Sequence, residues 1–349
     1  MRLERYLSEQ GIKDDVLLVF TSDNGTAGKK RRGGLRGDKG SHYDGGHNVP
    51  CLVRWKNGGI AGTPDTAREM TALTSVADFF PTFMDLCSLE KPDGGQPLHG
   101  LNISDLLTQP NYVPRERYLV VDTQRVDSLQ KWRHTSILKD VVEDGTITHK
   151  WRVMRYKASA NIELYDFLSD REQAHNIAPD HPSVIADLTA YYDSWWQKVS
   201  ANSDAYAPFV LNSQHQAELT LTPQDWIGSA LWQQSQVLKA LGGSGKHAIR
   251  CDEPGQYEIE LRRWPREDGG SIHGPSRILK RGKRLRPTQA KIHFSIDGEQ
   301  SVPVSQDASQ VTFTAEIAST EPQFLTSEFL DAKGKRVAPA YYVYLRKVK

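Results

Sequence analysis

Five consecutive apolar residues, 16–20 (Val-Leu-Leu-Val-Phe), run directly into Thr21-Ser22-Asp23-Asn24-Gly25. A strand apolar on both faces suits the interior of a parallel sheet covered by helices, and this predicts an α/β fold for the surrounding chain. In open α/β sheets ligands gather beyond the carboxyl ends of the strands, where Asp23 and Asn24 would lie. Their oxygens suit a hard cation such as calcium or magnesium. Asp, Asn and Gly are also ordinary turn residues, so the pentapeptide alone leaves a plain strand-ending turn open. A buried strand needs neighbours, and no second apolar run precedes this one. The fold is therefore expected to begin in the middle of a sheet, with apolar surface exposed over residues 1–110.

The rest of the pattern divides the chain. Residues 1–12 read as the end of a helix, with Leu3, Tyr6 and Leu7 on one face and Gly11 as its stop. Residues 22–48 are rich in Gly, Lys, Arg, Asp and His without apolar periodicity, as functional loops are. Residues 49–55 read as a second strand. Residues 71–88 are helical, with Val76, Phe79, Phe80, Phe83 and Cys87 at helical spacing and Pro81 marking a break. Short strands follow at 118–121 and 151–154. A helix over 181–199 begins at Pro182 and carries Val184, Leu188, Tyr191, Tyr192, Trp195 and Val199 on one stripe. From about residue 206 apolar and polar residues alternate in short runs at 216–222, 257–263, 290–296, 311–317 and 341–345, the pattern of a β-sandwich or jelly roll. The expected division is 1–110 α/β, 111–205 a small antiparallel subdomain, and 206–349 a β-rich accessory domain.

Composition narrows the partners. Hydrophobic residues are 38% and charged residues 25% of 349, a globular composition of two or three domains. With 44 basic against 43 acidic residues, nothing points to nucleic acid or an acidic membrane as main partner. Cys51, Cys87 and Cys251 form no CxxC pair, which argues against a zinc ribbon or redox motif. No apolar run approaches the roughly 18 residues of a membrane helix, and the first residues hold no signal-peptide core. Compartment and oligomeric state are not legible here.

A second segment carries more weight: Arg36-Gly37-Asp38-Lys39-Gly40-Ser41-His42-Tyr43-Asp44-Gly45-Gly46-His47-Asn48-Val49-Pro50. A strand ending in Ser-Asp-Asn-Gly, a basic Gly-rich loop and then a KG-x-x-Y-[ED]-GG-x-x-x-P segment resembles the second half of a sulfatase catalytic domain, of the alkaline phosphatase superfamily. The resemblance implies Asp23 and Asn24 as ligands of a divalent metal, usually calcium, and Lys39 as the sulfate-binding cation. Arg36, His42 and His47 on the same loop are further candidates for touching substrate. Asn48 stands where the family often has a structural Arg. The basic run Lys29, Lys30, Arg31 and Arg32 could attract a sulfated glycan or simply be solvated.

The resemblance continues downstream. Residues 77–86 (ADFFPTFMDL) resemble the family's D-x-x-PT-x-x-D-L helix. Residues 99–107 (HGLNISDLL) resemble its DG-x-S-x-x-x-L-L segment, with His99 in place of Asp. Glu163-Leu164-Tyr165-Asp166, then Asp170, Gln173, Asn176 and His181-Pro182, resemble the ELYD run of the sulfatase C-terminal subdomain. The β-rich tail is similar to C-terminal extensions of some bacterial sulfatases, and its aromatics could pack a core or form a sugar platform.

The family's nucleophile is a formylglycine made from Cys or Ser in [CS]-x-P-x-R. These 349 residues contain no such motif, so the nucleophile is expected in an upstream half and the chain is expected to be an inactive fragment on its own. The resemblance implies a sulfuric ester hydrolase acting on a sulfated small molecule or glycan, in a periplasmic or secreted setting. A phosphatase or phosphodiesterase of the same superfamily, or a non-catalytic glycan-binding protein, are the alternatives.

Overall fold

In the computed structural model the described residues are 2–28, 33–90, 97–124, 128–202, 206–212, 214 and 216–348. The basic run of Lys29, Lys30, Arg31 and Arg32 lies outside them. The described residues group into two compact units, one up to Ala201 apart from Ser128, and one from Asn202 onward together with Ser128.

The first unit opens with helix α1 (Arg2–Glu9). Gly11, at φ +70°, stops it, and the Ile12 N–H returns to the Leu7 carbonyl at 3.1 Å. Strands β1 (Leu18–Thr21) and β2 (Cys51–Arg54) then pair with each other alone, antiparallel, in the register Leu18↔Arg54 to Thr21↔Cys51. This corrects the parallel, doubly buried strand expected from residues 16–20. Val16 to Val19 are only half-buried, and Phe20 and Leu52 are 64% and 63% exposed, because no further strand flanks the ribbon among the described residues. Polar ties hold the ribbon instead. Arg54 pairs with Glu4 of α1 at 2.7 Å, and Lys56 pairs with Asp14 at 2.6 Å.

Helix α2 (Phe79–Leu86) starts later than expected. The residues before it, Val76–Asp78, form a single 3-10 turn, so the break falls at Asp78 and Pro81 sits in the helix's first turn, where its missing N–H costs nothing. Of the apolar stripe, Phe79 and Phe83 are half-buried and stack at 5.5 Å, while Val76, Phe80 and Cys87 are exposed. Helix α3 (Ser104–Thr108) follows.

Strands β3 (Arg117–Asp122), β4 (Thr135–Glu143), β5 (Thr146–Arg155) and β6 (Glu163–Asp166) form an antiparallel sheet in chain order. Helix α4 (Pro182–Ser200) closes one face, burying Leu188 and Tyr192 against Trp132, Ile137, Trp151, Val153 and Leu164. The Tyr192 hydroxyl, carried into that core, accepts the Trp132 N–H and donates to Asp122, both at 2.9 Å.

The second unit is a β-sandwich. Its strands are β7 (Phe209–Leu211), β8 (Glu218–Leu221), β9 (Lys246–Cys251), β10 (Gly255–Arg262), β11 (Gln289–Phe294), β12 (Gly298–Pro303), β13 (Val311–Ile317), β14 (Gln323–Leu330), β15 (Arg336–Pro339) and β16 (Tyr342–Lys347), with one short helix, α5 (Gln234–Leu238). One sheet runs β13-β10-β16-β8. The other runs β12-β11-β14-β9-β7, with β15 on β14. Along β13 burial alternates at every residue, as one buried face requires. Ile259, Leu261, Ile292, Phe313, Leu325, Phe329 and Leu345 share the core.

Candidate functional site

Three backbone segments meet at the end of β1. The Gly25 N–H donates to the Gly46 carbonyl at 2.9 Å, the Lys39 N–H to the Thr26 carbonyl at 3.0 Å, and the Gly45 N–H to the Arg36 carbonyl at 2.8 Å. The approach is close enough to exclude side chains. A Cβ on Gly25 would stand 1.8 Å from the Gly45 carbonyl oxygen, one on Gly45 2.5 Å from that of Arg36, and one on Gly46 2.3 Å from that of Ser41. Gly37 and Gly40, at φ +88° and +85°, let the loop reverse on either side of Asp38-Lys39. The glycines of the sequence motif thus weld the Ser-Asp-Asn-Gly turn to the lysine segment.

Side chains on this backbone fall into two sets. Those of Asp23, Asn24 and Lys39 make no hydrogen bond or ion pair among the described residues, with Asp23 and Lys39 exposed and Asn24 half-buried. Several others among the described residues are spent on packing. The Arg36 guanidinium donates to the Tyr165 hydroxyl at 2.9 Å and the Gln173 carbonyl at 3.0 Å, and stacks 3.9 Å over the Tyr43 ring. Tyr43 and Tyr165 both donate to one oxygen of Glu163, at 2.7 and 2.6 Å. Burial, reinforced by that bond to Glu163, pushes the Tyr43 phenol up to about 12.

Asp44 is fully buried. Its carboxylate accepts from Gln173 at 3.0 Å, from Asn48 at 3.3 Å and from the Arg152 guanidinium at 3.5 Å. Asn48, the departure from the family pattern, therefore serves as a partner for Asp44. His42 turns inward as well. Burial first, and the neighbouring His134 second, lower its pKa to about 4, so it is neutral at physiological pH. His47 is held near the His42 carbonyl at 3.4 Å, and burial lowers its pKa too.

The remaining segments of the resemblance also meet in a pair. Asp78 binds Arg117 through two bonds of 2.7 Å and accepts the Leu101 N–H at 2.9 Å, while Thr82 accepts the Ile103 N–H at 3.0 Å and Asp85 accepts from Asn102 at 2.9 Å. A Cβ on Gly100 would stand 1.9 Å from the Ala77 carbonyl oxygen. Among the clamp residues, Arg117 and Arg152 carried no sequence signal: each is one charged residue on a strand, and its partner lies far along the chain.

The donors at the β1 end suit a hard cation in type, a carboxylate and an amide oxygen. They are two of the roughly six to eight oxygens calcium takes, and no group of three or more His, Cys, Asp or Glu among the described residues could hold a metal. Asp23 and Asn24 therefore fit as part of a coordination shell. No helix among the described residues is long and apolar enough to cross a membrane.

Comparison with known proteins bears on the same segments. An N-acetylgalactosamine-6-O-sulfatase of Bacteroides thetaiotaomicron is 25% identical over 199 residues, covering 52% of this chain and 37% of its own. Mouse steryl-sulfatase is 36% identical over 111 residues, 29% of this chain and 17% of its own. The chain thus spans little more than a third, or less, of the length of these relatives. Among solved structures, a 2-O GAG sulfatase is 17% identical and covers 59% of this chain and 41% of its own, with a TM-score of 0.42. The family model described as Sulfatase matches residues 2–89, the stretch that contains the β1 turn, the welded loop and helix α2, and this part of the chain belongs to the sulfatase family.

Proposed function

We propose that the chain is part of a metal-dependent sulfatase that hydrolyses a sulfate ester on a carbohydrate, with Asp23 and Asn24 holding the metal and Lys39 holding the sulfate. One observation carries the reading. Among the described residues, Arg36, Tyr43, Asp44 and Asn48 of this loop are committed to packing, whereas the side chains of these three have no partner there, and the backbone bond from Lys39 to Thr26 keeps them a few residues from one another. When bound, a divalent cation would neutralise charge on the sulfuryl oxygens. Lys39 supplies fixed positive charge to the same group, and a preorganised cation needs no rearrangement as charge develops. Arg36, locked against Tyr43 and Tyr165, keeps the Lys39 loop in place, and its half-exposed edge faces the same solvent as the loop. The nucleophile comes from outside these 349 residues, which contain no [CS]-x-P-x-R motif. The N-acetylgalactosamine-6-O-sulfatase name of one relative supports a sulfated sugar as the substrate class.

The test is a pair of variants in the enzyme that joins this chain to a formylglycine nucleophile. Asp23→Ala is expected to abolish calcium binding, read by titration calorimetry, together with aryl sulfate turnover. Lys39→Ala is expected to lower turnover by roughly a hundredfold or more and to leave calcium affinity nearly unchanged. Calcium binding that survives Asp23→Ala, or turnover indifferent to Lys39→Ala, would overturn the assignment.

A further inference from the structure

In the β-sandwich unit, residues 277–286 read Arg-Ile-Leu-Lys-Arg-Gly-Lys-Arg-Leu-Arg, six cations in ten residues with no acid among them, in a chain whose net charge is only +1. Arg277, Lys280, Arg281, Lys283, Arg284 and Arg286 are all exposed, and none of their side chains has an ion-pair or hydrogen-bond partner among the described residues. A loose basic run would be merely solvated. This one is built.

Buried Asp268 accepts the Arg277 N–H at 2.9 Å, the Ile278 N–H at 3.2 Å and the Ser276 hydroxyl, fixing the entry to the segment. Arg263, fully buried, donates to the carbonyls of Ile272, Gly274 and Lys283, fixing its middle. Gly282, at φ +143°, packs against the Trp264 ring, where a Cβ would stand 3.1 Å from it. Leu285 is buried in the Trp264 cluster, and the Lys283 N–H donates to the Leu238 carbonyl at 2.8 Å. Internal groups thus satisfy the loop and leave its six cations to solvent, preorganised for an anion.

The last bond ties the loop to α5, and α5 also walls a cavity of about 240 Å³ lined by Thr222, Gln233, Gln234, Val237, Tyr342 and Trp232, the last 64% exposed. An exposed indole beside amides and hydroxyls suits a sugar face and its hydroxyl groups. Cations in Arg-rich array suit sulfate groups.

We propose that the loop 277–286, with the Trp232 cavity beyond α5, docks a sulfated polysaccharide chain. The proposal rests on the reading of this protein as a sulfatase for sulfated carbohydrate, and it names the polymeric, polyanionic form of that substrate.

The full 349-residue chain tests it by binding to immobilised heparin, with hyaluronan as an unsulfated polyanion and single-stranded DNA as a different one. The parent chain is expected to hold heparin more tightly than either. The K280Q/R281Q/K283Q/R284Q variant is expected to lose roughly tenfold or more in affinity and to show a flatter salt dependence. Trp232→Ala is expected to lose a few-fold in affinity without a change in salt dependence, since a neutral stacking contact is unscreened. Circular dichroism checks the fold, and if the quadruple variant is unfolded, K280Q/K283Q replaces it. Unchanged heparin affinity in the variants, or DNA bound as tightly as heparin, would overturn the docking surface. Aryl sulfate turnover of the assembled enzyme reads the catalytic proposal separately: turnover without heparin binding sinks only the docking surface, and heparin binding without turnover sinks only the catalytic reading.

Discussion

Gly25→Ala is expected to destabilise the first unit by about 3 kcal/mol or more and to release the Lys39 segment from the β1 turn. The added methyl carbon would stand 1.8 Å from the Gly45 carbonyl oxygen and 3.0 Å from the Gly46 carbonyl carbon, both backbone atoms that no side-chain rotation can remove. Relief requires one segment to move away, which breaks the Gly25 N–H bond to Gly46 and carries the Lys39 N–H off Thr26. The loop has little room to yield in turn, because the Gly45 N–H is bonded to the Arg36 carbonyl at 2.8 Å and the backbone there is so close that a Cβ on Gly45 would stand 2.5 Å from the Arg36 and 2.6 Å from the Gly37 carbonyl oxygen. Amide hydrogen exchange checks this: the Gly25, Gly46 and Lys39 amides should lose protection together, while those of β13 in the sandwich stay unchanged. Gly28→Ala is the control, since a Cβ there meets nothing closer than 3.8 Å and its backbone is not left-handed. Protection at Lys39 that survives Gly25→Ala would show that the weld is not what positions the lysine.

Much of this was legible from local pattern. The strands of the sandwich announce themselves by alternation, and 311–317 coincides with β13 because a sheet with one wet face imposes period two on its sequence. Helix α4 begins at Pro182 as its first-turn proline indicates. The sulfatase family model matches residues 2–89, but a motif alone does not separate side chains left open at the surface from side chains committed to packing. Tyr43 and Asp44 sit in the same motif as Lys39, yet both are bound to residues 108 or more positions away, and only the fold brings Glu163, Tyr165, Gln173 and Arg152 to them. The parallel strand was misread for a related reason. A run of apolar residues states that a strand can be covered on both faces, and the number and direction of its neighbours depend on chain far from it. The basic loop 277–286 escaped notice because net charge averages over the whole chain, and an ordered cationic patch is a property of local placement.

Arg117→Met is expected to show the largest stability loss of the clamps between the segments that resemble sulfatases, about 3–5 kcal/mol at neutral pH. Asp78 has no exposed side-chain surface and Arg117 keeps only 10% of its own, so methionine fills the volume but leaves a buried carboxylate without its cation. Burial alone would raise the Asp78 pKa. In the parent chain the paired bonds from Arg117, with the Leu101 and Ser75 N–H groups, outweigh it and hold the carboxyl below the usual range. The sign of the pH dependence follows. A carboxyl with a depressed folded pKa contributes stability that is fully present above its unfolded value, near 4, and that is lost as the pH falls through the lower folded value. In the variant the balance moves toward burial, so ionised Asp78 is costly at neutral pH and its protonation in acid relieves part of the cost. The gap between parent and variant should therefore be widest near neutrality and narrow below about pH 4. Urea titration with hydrogen exchange at the β3 amides, which follow Arg117 in the strand, measures it at each pH. A gap that stays constant from neutrality into acid would mean that lost packing, and not the unpaired carboxylate, sets the cost.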